Sequence, residues 1–157
     1  MNSATTLAHS IIRQLIECGV SDFVLSPGSR NAPLSIALQE AAQKNLIELH
    51  VKIDERGAAF FALGLAKASE NYVAVICTSG TAAANFHPAA LEAVHSQSKL
   101  LIITADRPAK LRKTGANQTT NQVNLFQAIP THDFATSIEI AHLLSGGPVH
   151  LLSLIHI

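Results

Sequence analysis

Residues 73–77, Val-Ala-Val-Ile-Cys, and, after Lys99, the Leu-Leu-Ile-Ile of the strand expected over residues 99–103 carry apolar side chains at successive rather than alternate positions. Each run then breaks abruptly, into Thr78-Ser79-Gly80-Thr81 and into Thr104-Ala105-Asp106-Arg107-Pro108. A strand wetted on one face alternates polar and apolar residues. An uninterrupted run of this length therefore reads as a strand buried on both faces, which requires helices on both sides of a parallel sheet. The remaining segments supply those helices. Leu7, Ile11, Leu15 and Ile16 recur at helical spacing before Gly19, residues 31–44 are amphipathic, residues 55–70 are Ala-rich, and residues 82–96 follow the Thr-Ser-Gly-Thr break. Further strands are expected at Phe23-Val24-Leu25, residues 47–53, residues 132–135 and Val149-His150-Leu151, with helices over residues 117–128 and 138–144. Strands alternating with helices imply right-handed crossovers. The fold class is α/β: a doubly wound, mostly parallel sheet with helices on both faces.

Charge narrows the function. Lys+Arg 11 against Asp+Glu 11 leaves a formal net charge of +0, which excludes a nucleic-acid or anionic-membrane binder relying on a basic surplus. No apolar run approaches the roughly 18 residues of a membrane-spanning helix, and the N-terminus lacks the basic and apolar regions of a signal peptide. The expected setting is the cytoplasm, with Cys18 and Cys77 reduced. The eight histidines are scattered without metal-ligand spacing, so no metal site is expected from this chain's residues.

In doubly wound sheets ligands gather at the carboxyl ends of the strands. Four polar segments fall there: Ser26-Pro27-Gly28-Ser29-Arg30, Asp54-Glu55-Arg56-Gly57, residues 78–81 and residues 104–107. The first is either an anion site, with helix N–H groups and the Arg30 fork, or a rigid capped turn. In the second, Asp54 suits a helix cap, and Glu55 stands beside an apolar helix face where shielding from water favours proton transfer. Residues 78–81 are read as helix-capping hydroxyls or as a close-approach loop. Asp106-Arg107 is read as a substrate contact or a local ion pair. The phosphate-binding patterns GxGxxG and GK[ST] do not occur in the sequence.

Taken in order, Ser26-Pro-Gly-Ser-Arg30, Asp54-Glu-Arg-Gly57, Thr78-Ser-Gly-Thr-Ala-Ala-Ala-Asn85, Thr104-Ala-Asp-Arg-Pro108 and Gly115-Ala-Asn-Gln118 resemble the N-terminal, pyrimidine-binding domain of the thiamine-diphosphate enzymes. Within that family the resemblance is to the synthases of menaquinone biosynthesis; it spans the chain from about Thr6 to Leu151 and implies a pyrimidine-binding domain over residues 1–151. It implies a cytoplasmic transferase that decarboxylates 2-oxoglutarate and adds the succinyl-semialdehyde carbanion to isochorismate, using thiamine diphosphate and Mg2+. It further implies that Glu55 is catalytic and holds the cofactor's aminopyrimidine, and that Thr78, Gly80, Thr81 and Asn85 line the cofactor pocket. By the same resemblance Ser29, Arg30, Arg107, Asn117 and Gln118 bind the dicarboxylate substrates.

Such enzymes are longer, with a central domain and a diphosphate-binding domain that carries the magnesium ligands, and they work as homodimers or homotetramers. The expectation is accordingly that this chain is an N-terminal fragment, inactive alone. Residues 152–157, Leu-Ser-Leu-Ile-His-Ile, match the in-frame translation of a transposase sequencing adapter and are expected to be a non-native tail. Two alternatives remain open at this stage: a stand-alone dicarboxylate-binding module, and a fragment of an acetolactate-synthase-like enzyme.

Overall fold

The computed structural model describes residues 3–108, 111–112 and 114–153. Six strands alternate with helices: α1 (Ser3–Glu17), β1 (Asp22–Leu25), α2 (Ala32–Gln43), β2 (Glu48–Val51), α3 (Glu55–Ser69), β3 (Val73–Cys77), α4 (Thr81–Asn85), α5 (His87–His95), β4 (Leu100–Ala105), β5 (Thr131–Phe134) and β6 (Val149–Ser153). The sheet order is β2-β1-β3-β4-β6-β5, and every neighbouring pair is parallel. The expected fold class holds, with a sheet that is wholly rather than mostly parallel among the described residues.

The continuous apolar runs divide by the two-residue period of a strand. Phe23, Leu25, Ala74, Ile76, Leu101, Ile103, Val149 and Leu151 face the layer that holds α1 and α2. Val24, Val73, Val75, Cys77, Leu100 and Ile102 face the layer that holds α3, α4 and α5. Each central strand is thus covered twice. The edge strand β2 is only half covered, and Val51 stays 56% exposed. The connections entering β1, β2, β3, β4 and β6 repeat one device. Gly19, Asn45, Glu70, Gln97 and Gly146 adopt positive φ, each three positions before its strand, which closes the preceding segment in a left-handed turn.

Several boundaries differ from expectation. Residues 82–96 form two helices, because Pro88 near the start of α5 has no N–H to continue the ladder. Residues 117–128 form turns instead of a helix. Gln118 adopts φ 58 there, and its carbonyl and the Gln122 carboxamide are bonded to other elements rather than along the segment. Residues 138–144 shrink to a 3-10 turn at Ala141–Leu143. Leu152 and Ser153 continue β6 beside Thr104 and Ala105, whereas residues 154–157 lie outside the described residues.

The interior of the β4–β6–β5 region is polar in one place. Gln122 Nε2 donates to Thr104 Oγ1 (3.1 Å), which lies 2.8 Å from His150 Nε2, and His150 Nδ1 lies 3.1 Å from Thr131 Oγ1. All of these groups find partners if Thr104 donates to Nε2 and the Nδ1–H donates to Thr131. Burial lowers the His150 pKa from 6.5 to about 3, with Asp133 opposing and His132 adding to the shift. The unfolded chain therefore takes up a proton near pH 6.5 that the folded chain refuses until about pH 3. Stability is full above the higher value and falls as the pH drops through that window. Between pH 7 and pH 4 this imidazole is expected to cost about 3 kcal/mol of unfolding free energy. Urea titrations of the wild type and of His150→Gln should diverge in slope across that range. Parallel pH profiles would refute the assignment.

Candidate functional site

The chain runs outward from β1 to β2 and then crosses back to place β3 on the other side of β1. The crevice between the carboxyl ends of β1 and β3 is therefore the topological switch point, where open α/β sheets bind ligands. Ser26–Arg30 leaves β1 at this point and Thr78–Thr81 leaves β3. The two loops touch: a Cβ added to Gly28 would lie 2.6 Å from Thr78 Cβ, so any larger residue would push the loops apart. Asn31 braces the first loop. Its Oδ1 accepts from Gly28 N (2.7 Å) and its Nδ2 donates to Ser26 O (2.9 Å). The capped-turn reading of residues 26–30 is therefore correct in part, with Asn31 as the brace, and it leaves the Arg30 side chain free for another role.

Glu55 opens α3. Asp54 is the helix cap, with its Oδ2 accepting from Gly57 N at 2.7 Å, which leaves the neighbouring Glu55 carboxyl half-buried at the positive helix end. Glu55 acts electrostatically on Cys77 at the end of β3; burial chiefly, and this carboxyl secondarily, push the Cys77 thiol well above its ordinary pKa. The thiol thus remains protonated at neutral pH, buried among the apolar residues of the α3–α5 layer and donating to Thr78 O at 3.2 Å.

The third loop turns at Gly80, whose φ of 77 and ψ of −132 belong to glycine. A Cβ there would lie 2.7 Å from Gln118 O, and Ser79 Oγ donates to that same carbonyl at 2.9 Å. Gly80 N donates to Gln122 Oε1 at 2.9 Å. Thr81 and Asn85 occupy the two ends of the single-turn helix α4, on one exposed face.

The fourth loop carries the charge. Arg107 is 9% exposed; its Nη2 donates to Asn117 O, and its Nη1 is buried with no hydrogen-bond partner. Burial lowers the Arg30 pKa, the neighbouring Arg107 guanidinium lowers it further, and Asp106 opposes both. Two cations, from the loops that follow β1 and β4 on either side of β3, thus feel one another, an arrangement that favours a bound anion. Asp106 is committed elsewhere: Oδ1 accepts from Arg107 N (2.7 Å) and Oδ2 lies 2.8 Å from Arg112 Nε. Arg112 also holds Asp133 of β5 through Nη1 at 2.9 Å and Nη2 at 3.1 Å.

The structure joins Arg107 to Asn117 by a hydrogen bond, Gln118 to Gly80 by close approach and Arg30 to Arg107 electrostatically; Thr78 packs against Gly28, and Glu55 acts on Cys77 electrostatically. Ser29, Thr81 and Asn85 lie on the same edge of the sheet, exposed. Sequence reasoning missed Asn31, Gln122 and Arg112, which support the loops. Each is a single polar residue without a spacing signature, and only the three-dimensional pairing reveals it.

A pyrimidine-binding role can be tested against these residues. The Ser26 and Thr78 hydroxyls and Arg107 Nη1 are buried without partners, and the half-buried Glu55 carboxyl opens α3 on the same rim of the sheet. A polar heterocycle with an anionic co-ligand suits that donor set. Among the described residues no group of three or more His, Cys, Asp or Glu could hold a metal ion, and no helix is long and apolar enough to cross a membrane.

Comparison with known proteins agrees with the geometry. Residues 5–125 match the family described as thiamine pyrophosphate enzyme, N-terminal TPP binding domain. A 2-succinyl-5-enolpyruvyl-6-hydroxy-3-cyclohexene-1-carboxylate synthase of Nocardioides sp. is 53% identical over 150 residues, covering 95% of this chain and 27% of its own length. Proteins of the same name from Saccharopolyspora erythraea and Lysinibacillus sphaericus are 52% and 43% identical, covering 80% and 94% of this chain and 23% and 28% of their own lengths. The chain thus spans about a quarter of the curated relatives it matches. A doubly wound sheet with its polar loops at the switch point, and a family match across most of its length, place this chain in the thiamine pyrophosphate enzyme family as an N-terminal TPP binding domain.

Proposed function

We propose that this chain is the N-terminal part of a longer synthase that uses thiamine diphosphate to decarboxylate 2-oxoglutarate and transfer the succinyl-semialdehyde unit to isochorismate, in menaquinone biosynthesis in the cytoplasm. The observation that carries the reading is the buried Arg107, with one guanidinium nitrogen unpartnered and Arg30 close enough to be perturbed by it. Both substrates are dicarboxylates, and a guanidinium fork matches a carboxylate in two hydrogen bonds. The relatives above share one name, which favours this reading over an acetolactate-synthase-like fragment.

Thiamine diphosphate supplies an electron sink for breaking and forming the carbon–carbon bonds. Glu55 would hold and pass a proton at the aminopyrimidine ring, in a position half-shielded from water. Thr78, Gly80, Thr81 and Asn85 would line the ring, with the buried Thr78 hydroxyl free to bond it. Ser29, Arg30, Arg107, Asn117 and Gln118 would take the substrate carboxylates and fix their orientation. Magnesium would bind beyond this chain, in a diphosphate-binding domain within the relatives' remaining length. The working enzyme would be a homodimer or homotetramer. Residues 152–157 belong to the proposal as a non-native tail, on the strength of their match to an adapter translation.

The purified 157-residue chain, supplied with thiamine diphosphate, magnesium, 2-oxoglutarate and isochorismate, is expected to release no product. Detectable product would refute the fragment reading. A long DNA read across codon 151 should continue the frame, and the complete gene product should consume both substrates together. A complete product inert toward them would overturn the proposed activity.

A further inference from the structure

Gln122 is fully buried and spends its whole carboxamide on the candidate site. Oε1 accepts from Gly80 N (2.9 Å), while Nε2 donates to Thr104 Oγ1 (3.1 Å) and to Ala105 O (3.2 Å). The partners fix its orientation, since Gly80 N can only donate and Ala105 O can only accept. Four residues earlier in the same segment, Gln118 O accepts from Ser79 Oγ (2.9 Å) and lies 2.7 Å from where a Gly80 Cβ would be. Residues 118–122 therefore straddle the Gly80 turn, gripping it from both sides, while Nε2 anchors the grip to the end of β4. Asn117, at the head of this segment, receives Arg107 through its carbonyl.

We propose that Gln122 is a positioning residue that locks the Gly80 turn and the Asn117–Gln118 segment to the end of β4, so that the cofactor side and the substrate side of the site keep one register. This rests on the function proposed above in assigning those two sides. The lock itself is a property of the chain. No other side chain reaches both Gly80 N and the β4 carbonyls among the described hydrogen bonds, and the turn's backbone conformation leaves it no regular ladder of its own. Losing the carboxamide frees Gly80 N and two acceptors in a buried space, where unpaired polar groups are costly. The two halves of the site would then shift independently.

Two variants of the 157-residue chain, followed by amide exchange and chemical shift in NMR, test this. In Gln122→Met the side chain keeps its length and loses every hydrogen bond. The Gly80 amide protection factor is expected to fall at least tenfold, with Val75 and Ile102 unchanged. In Gln122→Glu the protonated carboxyl can still donate once and accept once, while the ionised form faces the Ala105 carbonyl. Gly80, Asn117 and Gln118 should therefore shift together as the pH is raised, with Gly80 protection near wild type at the acid end and lost at the alkaline end. A role in overall stability alone would not produce that joint titration. If the methionine variant fails to fold, the glutamate variant at its acid end decides the matter.

Unchanged Gly80 protection in the folded variants overturns the proposal. So does a loss shared equally by Val75 and Ile102, or a Gly80 shift without Asn117 and Gln118. Titrating the wild-type chain with 2-oxoglutarate separates the two readings. Shifts at Arg107 and Asn117 that weaken at least tenfold in Gln122→Met join the lock to substrate binding. A wild-type chain without shifts argues against the substrate assignment, and the Gly80 amide still judges the lock.

Discussion

Replacing Glu55 by Gln in the complete enzyme is expected to lower kcat by roughly 10²–10⁴-fold, the range carried by a positioned proton-transfer group. The amide keeps the volume and most of the hydrogen-bonding capacity of the carboxyl but can neither hold nor pass the proton. The fold should hardly notice. Among the described residues Glu55 makes no side-chain hydrogen bond, and Asp54 rather than Glu55 caps α3. The loss of one negative charge at the helix start should change stability by no more than about 1 kcal/mol. Steady-state kinetics beside a thermal melt of the 157-residue chain would check both halves. Retained kcat would remove Glu55 from the chemistry. The same substitution tests the binding-module alternative, in which ligand affinity would be untouched and no activity would exist to lose.

The largest effect on stability is expected at Arg112. The side chain of Asp106 is fully buried, and Arg112 Nε lies 2.8 Å from it while the guanidinium also holds Asp133. Arg112→Met strands a buried carboxylate, a change that costs about 3–5 kcal/mol when one partner of a buried pair is removed. The sign with pH is fixed by Asp106. Burial already raises its pKa, against the pull of the Arg107 N–H and Arg112; without Arg112 it rises further. A folded carboxyl with a raised pKa binds its proton more readily than the unfolded one, so the variant loses stability as the pH climbs. Its deficit against wild type should be greatest near pH 7 and shrink toward pH 4. Chemical denaturation at the two pH values measures this, and a deficit that is flat or grows with acid would contradict the pairing.

The parallel sheet was legible in the sequence because its central strands are buried on both faces, and only continuous apolar runs such as residues 73–77 satisfy that condition. The four polar strand ends were legible for a related reason: a run that stops abruptly at Ser, Thr, Gly or Asp marks where the strand leaves the core. Residues 117–128 were misread. A helix was expected there, but Leu125 and Phe126, with Ile129 just beyond, join the buried cluster of α5 as turns while Gln118 and Gln122 bond to neighbouring loops. Tertiary hydrogen bonds outweighed local preference there. Long-range partners also hid the supporting residues. Gln122 meets Gly80 across 42 positions and His150 meets Thr104 across 46, and no local pattern encodes such a meeting. Arg30 and Arg107 stood out as charges, yet their mutual influence depends on the order in which the strands are laid.

The five left-handed turns at Gly19, Asn45, Glu70, Gln97 and Gly146 all precede strands, whereas the loops of the site all follow them. One rim of the domain is thus plain connecting backbone and the opposite rim holds the chemistry. A biotin or dye fixed at Asn71, beside the Glu70 turn and exposed, would moor the molecule by its inert rim. On a sensor surface every copy would then present Arg30, Glu55 and Arg107 outward, toward whatever is passed over it.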